Sequence, residues 1–106
     1  MGNTLGVGFL EKVYENALVH ELRKQGLKVE QQLPIEVWYD GVVVGHYQAD
    51  LLVEGSVILE LKAVTALDTV HFAQCMNYLK ATGLTLGLLI NFGKPKLEIK
   101  RVVRNF

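Results

Sequence analysis

Cysteine is almost absent from this chain, and its single thiol, Cys75, excludes an internal disulfide and any zinc site built from cysteines. That usage fits a reducing compartment, and a cytoplasmic location is expected. Long apolar runs are missing as well. The longest, Leu84 to Phe92, is broken by Thr85 and Gly87 and is far shorter than the roughly 20 residues a membrane-spanning helix needs. The start of the chain lacks a basic flank followed by an apolar run, and Gly6 stands where a myristoylation signal wants Ser or Thr. No targeting signal is therefore expected. Net charge is absent too, because eleven basic and eleven acidic side chains cancel, so the chain lacks the global positive field of many nucleic-acid binders. Positive charge is local: Lys94, Lys96, Lys100, Arg101 and Arg104 crowd the last thirteen residues against Glu98 alone, which leaves a basic stripe open there.

Apolar residues make up 50% of the 106 positions, enough for one domain spanning residues 1–106 to bury its own core. From Phe9 to about Gln25, Leu10, Val13, Tyr14, Ala17, Leu18 and Leu22 recur three and four apart, which predicts a helix ending at Gly26. Leu27 to Tyr39 reads as a strand with Pro34 marking an edge or a bulge. Asp40-Gly41 is a hairpin signal, and Val42 to Val53 forms the next strand. Glu54-Gly55-Ser56 turns into a third strand, Val57 to Ala63. Helical spacing returns after Thr65 and runs to Gly83. Two further strands follow, Leu84 to Phe92, apolar enough to be buried on both faces, and Leu97 to Val103. The expected order is α-β-β-β-α-β-β, an α/β (α+β) fold with helices packed on a sheet. No internal repeat or linker interrupts it.

Glu60 and Lys62 are two apart in a strand and leave the same face. A turn centred on Gly55 sets Asp50 opposite Glu60, with β-carbons roughly 5 Å apart. Two facing carboxylates repel unless a cation lies between them, and either Lys62 or a divalent metal can be that cation. Spacing alone leaves both open, the first being a salt-bridged solvent face. Ile58, Leu59 and Leu61, however, flank these charges, and a charge in an apolar strand is costly without a role. Hard oxygen ligands suit magnesium or manganese, and such a metal with Lys62 beside it suits phosphodiester hydrolysis.

Glu11 and Glu15 are one helical turn apart, a like-charge pair. Glu15 is read as favouring the helix amino terminus. His71, Gln74 and Tyr78 share a face of the second helix, a polar stripe directed at the cleft, while Cys75 is expected to be a small buried hydrophobe. His20 and His46 are isolated and expected at the surface. Gly6-Val7-Gly8 opens a dinucleotide-like pattern, but Glu11 stands where its third glycine belongs.

The stretch Gly8-Phe9-Leu10-Glu11-Lys12-Val13-Tyr14 resembles the signature of the GxxExxY proteins. The likeness continues through Ala49 to Val53, Val57 to Ala63, Gln74 to Lys80 and Gly87 to Gly93. That family is grouped with the PD-(D/E)XK nuclease superfamily, so the resemblance implies a restriction-endonuclease-like core. It also implies a site in which Asp50, Glu60, Leu61 and Glu11 hold Mg2+ or Mn2+ and Lys62 completes the motif, with Gln74, and beside it Tyr78, as further cleft residues. Ala49 replaces the proline of the superfamily name. Family members usually carry another helix before the glycine signature, whereas seven residues precede Gly8 here; a surface left open by its absence invites self-association as a homo-oligomer or a partner. A nucleic-acid substrate, DNA or RNA, follows from the resemblance. The competing expectation is a non-catalytic module on the same scaffold that binds nucleic acid or protein.

Overall fold

The computed structural model describes residues 7–105, with side chains from Leu10 onward; Gly6 and the side chains of Val7 and Phe9 lie outside the described residues. The elements are α1 (Val7–Lys24), β1 (Val29–Tyr39), β2 (Val42–Val53), β3 (Val57–Lys62), α2 (Thr69–Thr82), β4 (Leu86–Asn91) and β5 (Glu98–Val103). Their order is the one the hydrophobic periodicity implies. The five strands form one sheet in the order β1-β2-β3-β4-β5. β3 and β4 run parallel, joined by the crossover through α2, and the other neighbours are antiparallel. Among the described residues no helix is long and apolar enough to cross a membrane.

Two cores lie on opposite faces of the sheet. Leu10 and Val19 of α1 pack with Val29, Leu51, Leu59, Leu61 and Ile90. Cys75, Tyr78 and Leu79 of α2 pack with Ile35, Ala49, Leu52, Ile58 and Leu89. β3 and β4 therefore have apolar groups on both sides, as the nearly continuous apolar sequence of β4 requires. Cys75 is fully buried and sets how closely α2 approaches β4. A β-carbon at Gly87 would lie 2.5 Å from Cys75 Sγ, closer than atoms can pack, so only glycine permits the approach.

β1 is an edge strand, which accommodates Pro34 without loss of the ladder: Pro34 pairs with Gln48. The irregularities fall elsewhere, between Val37 and Trp38 and at Gln32. Gln31 pairs with Leu51 and Leu33 with Ala49, while Gln32, opposite Asp50, is skipped and takes a left-handed backbone with φ 54°. Val29 and Leu51 belong to the α1 core, yet Leu33, Ile35 and Ala49 pack in the α2 core. Both strands thus exchange faces at Gln32 and Asp50 without a change of register.

Asn91, at the end of β4, is fully buried and ties the segment after β3 to the sheet. Its Oδ1 accepts from Val64 N–H and Gly93 N–H, each at 3.0 Å, while its Nδ2 donates to Val64 O at 2.9 Å and to Glu98 Oε1 at 3.1 Å. Replacing it with an apolar residue leaves part-buried backbone groups of Val64 and Gly93 without partners, each costing about 1–3 kcal/mol where water cannot reach it. We expect Asn91→Leu to lower unfolding free energy by roughly 3 kcal/mol or more, measured by urea denaturation; a change under about 1 kcal/mol would contradict this anchoring role.

Candidate active site

The β2–β3 ladder pairs Leu51 with Leu59, Leu52 with Ile58 and Val53 with Val57, the register expected from the turn at Gly55. One step further, where Asp50 would meet Glu60, main-chain pairing gives way to side chains. Asp50 N–H donates to Glu60 Oε2 at 2.7 Å, and Leu61 N–H donates to Asp50 Oδ2 at 2.7 Å. The two carboxylates are thus brought together as the sequence suggests, but each spends one oxygen on the other strand's backbone instead of simply facing its partner. Lys62 Nζ donates to Gln74 Oε1 at 2.9 Å, joining the β3 lysine to the second helix.

Glu11 comes from α1. One turn on, Tyr14 stacks on Phe92 with ring centroids 4.4 Å apart and planes 5° from parallel, which fastens α1 over the far end of β4. Glu11 shares a pocket of about 220 Å3 with Lys12, Glu15, Gln32, Asp50 and Leu61.

Glu15 corrects an expectation. It lies in the middle of α1, outside the first turn, and is buried. Its Oε2 accepts from Gln31 Nε2 at 2.7 Å and Lys12 Nζ at 3.2 Å, and its Oε1 from Gln32 Nε2 at 2.9 Å. The carboxylate therefore holds Gln32 in its left-handed conformation across from Asp50, at the point where both strands change faces. The signal for it was present as a like-charge pair on one helix face and two consecutive glutamines in a strand. The polar stripe on α2 also divides: Gln74 and Tyr78 face the cleft, whereas His71 Nδ1 accepts from Asp68 N–H at 3.0 Å at the helix start. His20 and His46 are exposed, as expected.

The site has an excess of buried negative charge. Burial, then the Asp50 carboxylate, push the Glu60 carboxyl up to about 7. Burial raises Asp50 as well, with the charge of Glu15 adding to it, and burial followed by Asp50 raises Glu11. Lys62 opposes all three shifts without cancelling them. Carboxylates from three elements and the Leu61 backbone are hard oxygen donors, the chemistry that magnesium and manganese prefer. Among the described residues no three acidic, imidazole or thiol groups are already gathered as a metal cluster; Asp50 and Glu60 are braced on backbone N–H groups, so ion binding would call on their remaining oxygens or on rotation away from those bonds. With that adjustment the donors fit a divalent cation.

The sequence matches the PD-(D/E)XK nuclease superfamily over residues 1–102. This chain belongs to that superfamily. No curated protein matches it. Among solved structures, the crystal structure of SSO0001 superposes with TM-score 0.69 at 17% identity, covering 93% of this chain and 52% of its own. An alkaline exonuclease (LHK-Exo) from Laribacter hongkongensis superposes with TM-score 0.54 at 13% identity, covering 89% of this chain and 56% of its own. The chain spans about half the length of either structure. At such identities the likeness is one of fold, and the PD-(D/E)XK fold is the restriction-endonuclease-like one that the resemblance implies, with the element order agreeing.

The raised carboxyl of Glu60 has a thermodynamic consequence in metal-free protein. The folded chain holds this proton more tightly than the unfolded chain, whose carboxyl titrates at 4.5. Stability is therefore lost as pH rises from about 4.5 through about 7, with a slope up to roughly 1.4 kcal/mol per pH unit. In EDTA, urea midpoints should fall across this window for the wild type and fall distinctly less for Glu60→Gln. Equal slopes in both proteins would show that Glu60 is not the group responsible.

Proposed function

We propose that this protein is a divalent-metal-dependent nuclease that hydrolyses phosphodiester bonds of DNA or RNA. The observation that carries this reading is the bracing of Asp50 and Glu60 across the β2–β3 opening, beside Lys62 and Glu11. Superfamily membership supports it, as does the likeness of fold to an exonuclease. The signature from Gly8 to Tyr14 further supports placing the chain in the GxxExxY group.

Asp50, Glu60, Glu11 and the Leu61 carbonyl would hold Mg2+ or Mn2+. Bound there, such an ion supplies Lewis-acid polarisation of a phosphate and a water of lowered pKa. The remaining roles belong to the chain itself. Lys62, steadied by Gln74, orients the attacking water through its ammonium group and offsets the charge that grows on the phosphoryl oxygens. The ammonium is a donor only, so it directs a water lone pair rather than removing a proton. Gln74 keeps the lysine from closing onto Glu60 and so leaves the acids available to the ion.

A second reading, a non-catalytic module binding nucleic acid or protein, draws on the backbone bonds that already occupy Asp50 and Glu60 and on the neutral overall charge. It expects salt-dependent binding without cleavage in any divalent metal. Calorimetric titration with Mg2+ and Mn2+, paired with cleavage assays on single- and double-stranded DNA and RNA, separates the two. Asp50→Ala and Glu60→Ala should abolish metal binding, while Lys62→Ala should retain it and lose cleavage by at least about a hundredfold. Wild-type metal affinity in Asp50→Ala would sink the assignment.

A further inference from the structure

Beside the acidic cluster lies a groove for which the hydrolytic reading has no use. β1 and β2 run for 11 and 12 residues, against 6 in each of the other strands. Their long hairpin places Val37 and Tyr47 across from Val70, Gln74, Asn77 and Tyr78 of α2, around a cleft of about 550 Å3. That volume falls within the roughly 300–1,000 Å3 of small-molecule sites. None of its described lining residues is charged. Tyr47 is half exposed, with its ring 6.2 Å from that of Tyr78 and inclined at 48°. The walls are thus aromatic and aliphatic, and the carboxamide of Asn77 supplies hydrogen-bonding groups among them, beside Gln74, whose own carboxamide is engaged by Lys62 and Tyr78.

This combination fits one part of a nucleotide. A ring face offers stacking to any base, and a carboxamide offers a donor and an acceptor side by side, as the edge of a base does. With no lysine or arginine among its described lining residues, the groove is unsuited to a phosphate. It is also continuous with the acidic cluster. Gln74 lines the groove and accepts from Lys62 at 2.9 Å. The Tyr78 hydroxyl is pushed up by burial first and then by the charges of Glu60 and Asp50, so both carboxylates are within electrostatic reach of the groove wall.

We propose that this groove is a nucleobase pocket that takes one unstacked base while the adjoining phosphate lies at Lys62, which makes the preferred substrate single-stranded nucleic acid or a frayed end. A base inside a duplex has both faces covered and its edge paired, and must leave the stack to enter. The place given to the phosphate rests on the nuclease reading; entry of the base does not.

The test uses uncharged nucleosides first, because they need neither metal nor cleavage. Adenosine and thymidine, titrated into the full chain in EDTA and followed by NMR, should saturably shift the side-chain amides of Asn77 and Gln74 and the ring of Tyr47. Tyr47→Ala should weaken this binding about tenfold. Asn77→Ala, at an exposed position, should alter the ratio of the two nucleoside affinities. The second arm is cleavage in Mg2+, where Tyr47→Ala should raise KM for a single-stranded oligonucleotide about tenfold and have less effect on a duplex. Absent or scattered nucleoside shifts, or binding indifferent to Tyr47→Ala, overturn the pocket. Cleavage with an unchanged single-strand KM in Tyr47→Ala overturns it as well. Specific nucleoside shifts in a protein that cleaves nothing would instead remove the nuclease reading and keep the pocket.

Discussion

Carboxylate oxygens take over from main-chain carbonyls where β2 and β3 part, and the rest of the site depends on that exchange. Asp50 N–H turns to Glu60 and Leu61 N–H turns to Asp50, so the strands separate without leaving either N–H group unpaired. Without these bonds the opening would expose backbone donors; with an ordinary ladder there would be no opening. The arrangement holds charge in a place where charge is poorly solvated. Burial is the largest cause of the raised carboxyls of Glu11, Asp50 and Glu60, and the pull of Lys62 does not offset it.

The neighbouring elements hold that arrangement in place. On one side, the parallel pairing of β3 with β4 runs from Val57–Leu86 to Lys62–Asn91, and Asn91 continues the bracing past the end of the strand. On the other, Glu15 locks Gln31 and Gln32, and the left-handed Gln32 lets β1 and β2 change faces together at Asp50. The stacked pair Tyr14 and Phe92 keeps Glu11 over the opening. Every acid in the cluster thus rests on a second contact that belongs to a different element.

Much of this was legible in the sequence because it follows simple periods. Apolar spacing placed both helices and all five strands, and the Gly55 turn fixed the register that brings Asp50 towards Glu60. The two-residue spacing of Glu60 and Lys62 set both on one face. The missed features break those periods. A strand that exchanges faces defeats any argument from alternation, so the partnership of Gln32 with Asp50 could not be counted out from either end. Glu15 looked like a charge at a helix start because charges in mid-helix are usually solvated; its burial depends on β1, more than ten residues away in sequence. Asn91 was hidden in an apolar run, where its four hydrogen bonds leave no trace in composition.

Net charge misleads for a related reason. The chain as a whole is balanced, yet Glu11, Glu15, Asp50 and Glu60 gather against Lys12 and Lys62. At this scale the site repels anions. A phosphodiester can approach only if positive charge is brought in with it or before it, which is what a divalent ion would do. Contacts to the uncharged parts of a nucleic acid would add binding energy that this repulsion does not reduce. The groove beside Gln74, aromatic and without charge among its described lining residues, has the chemistry to supply such contacts.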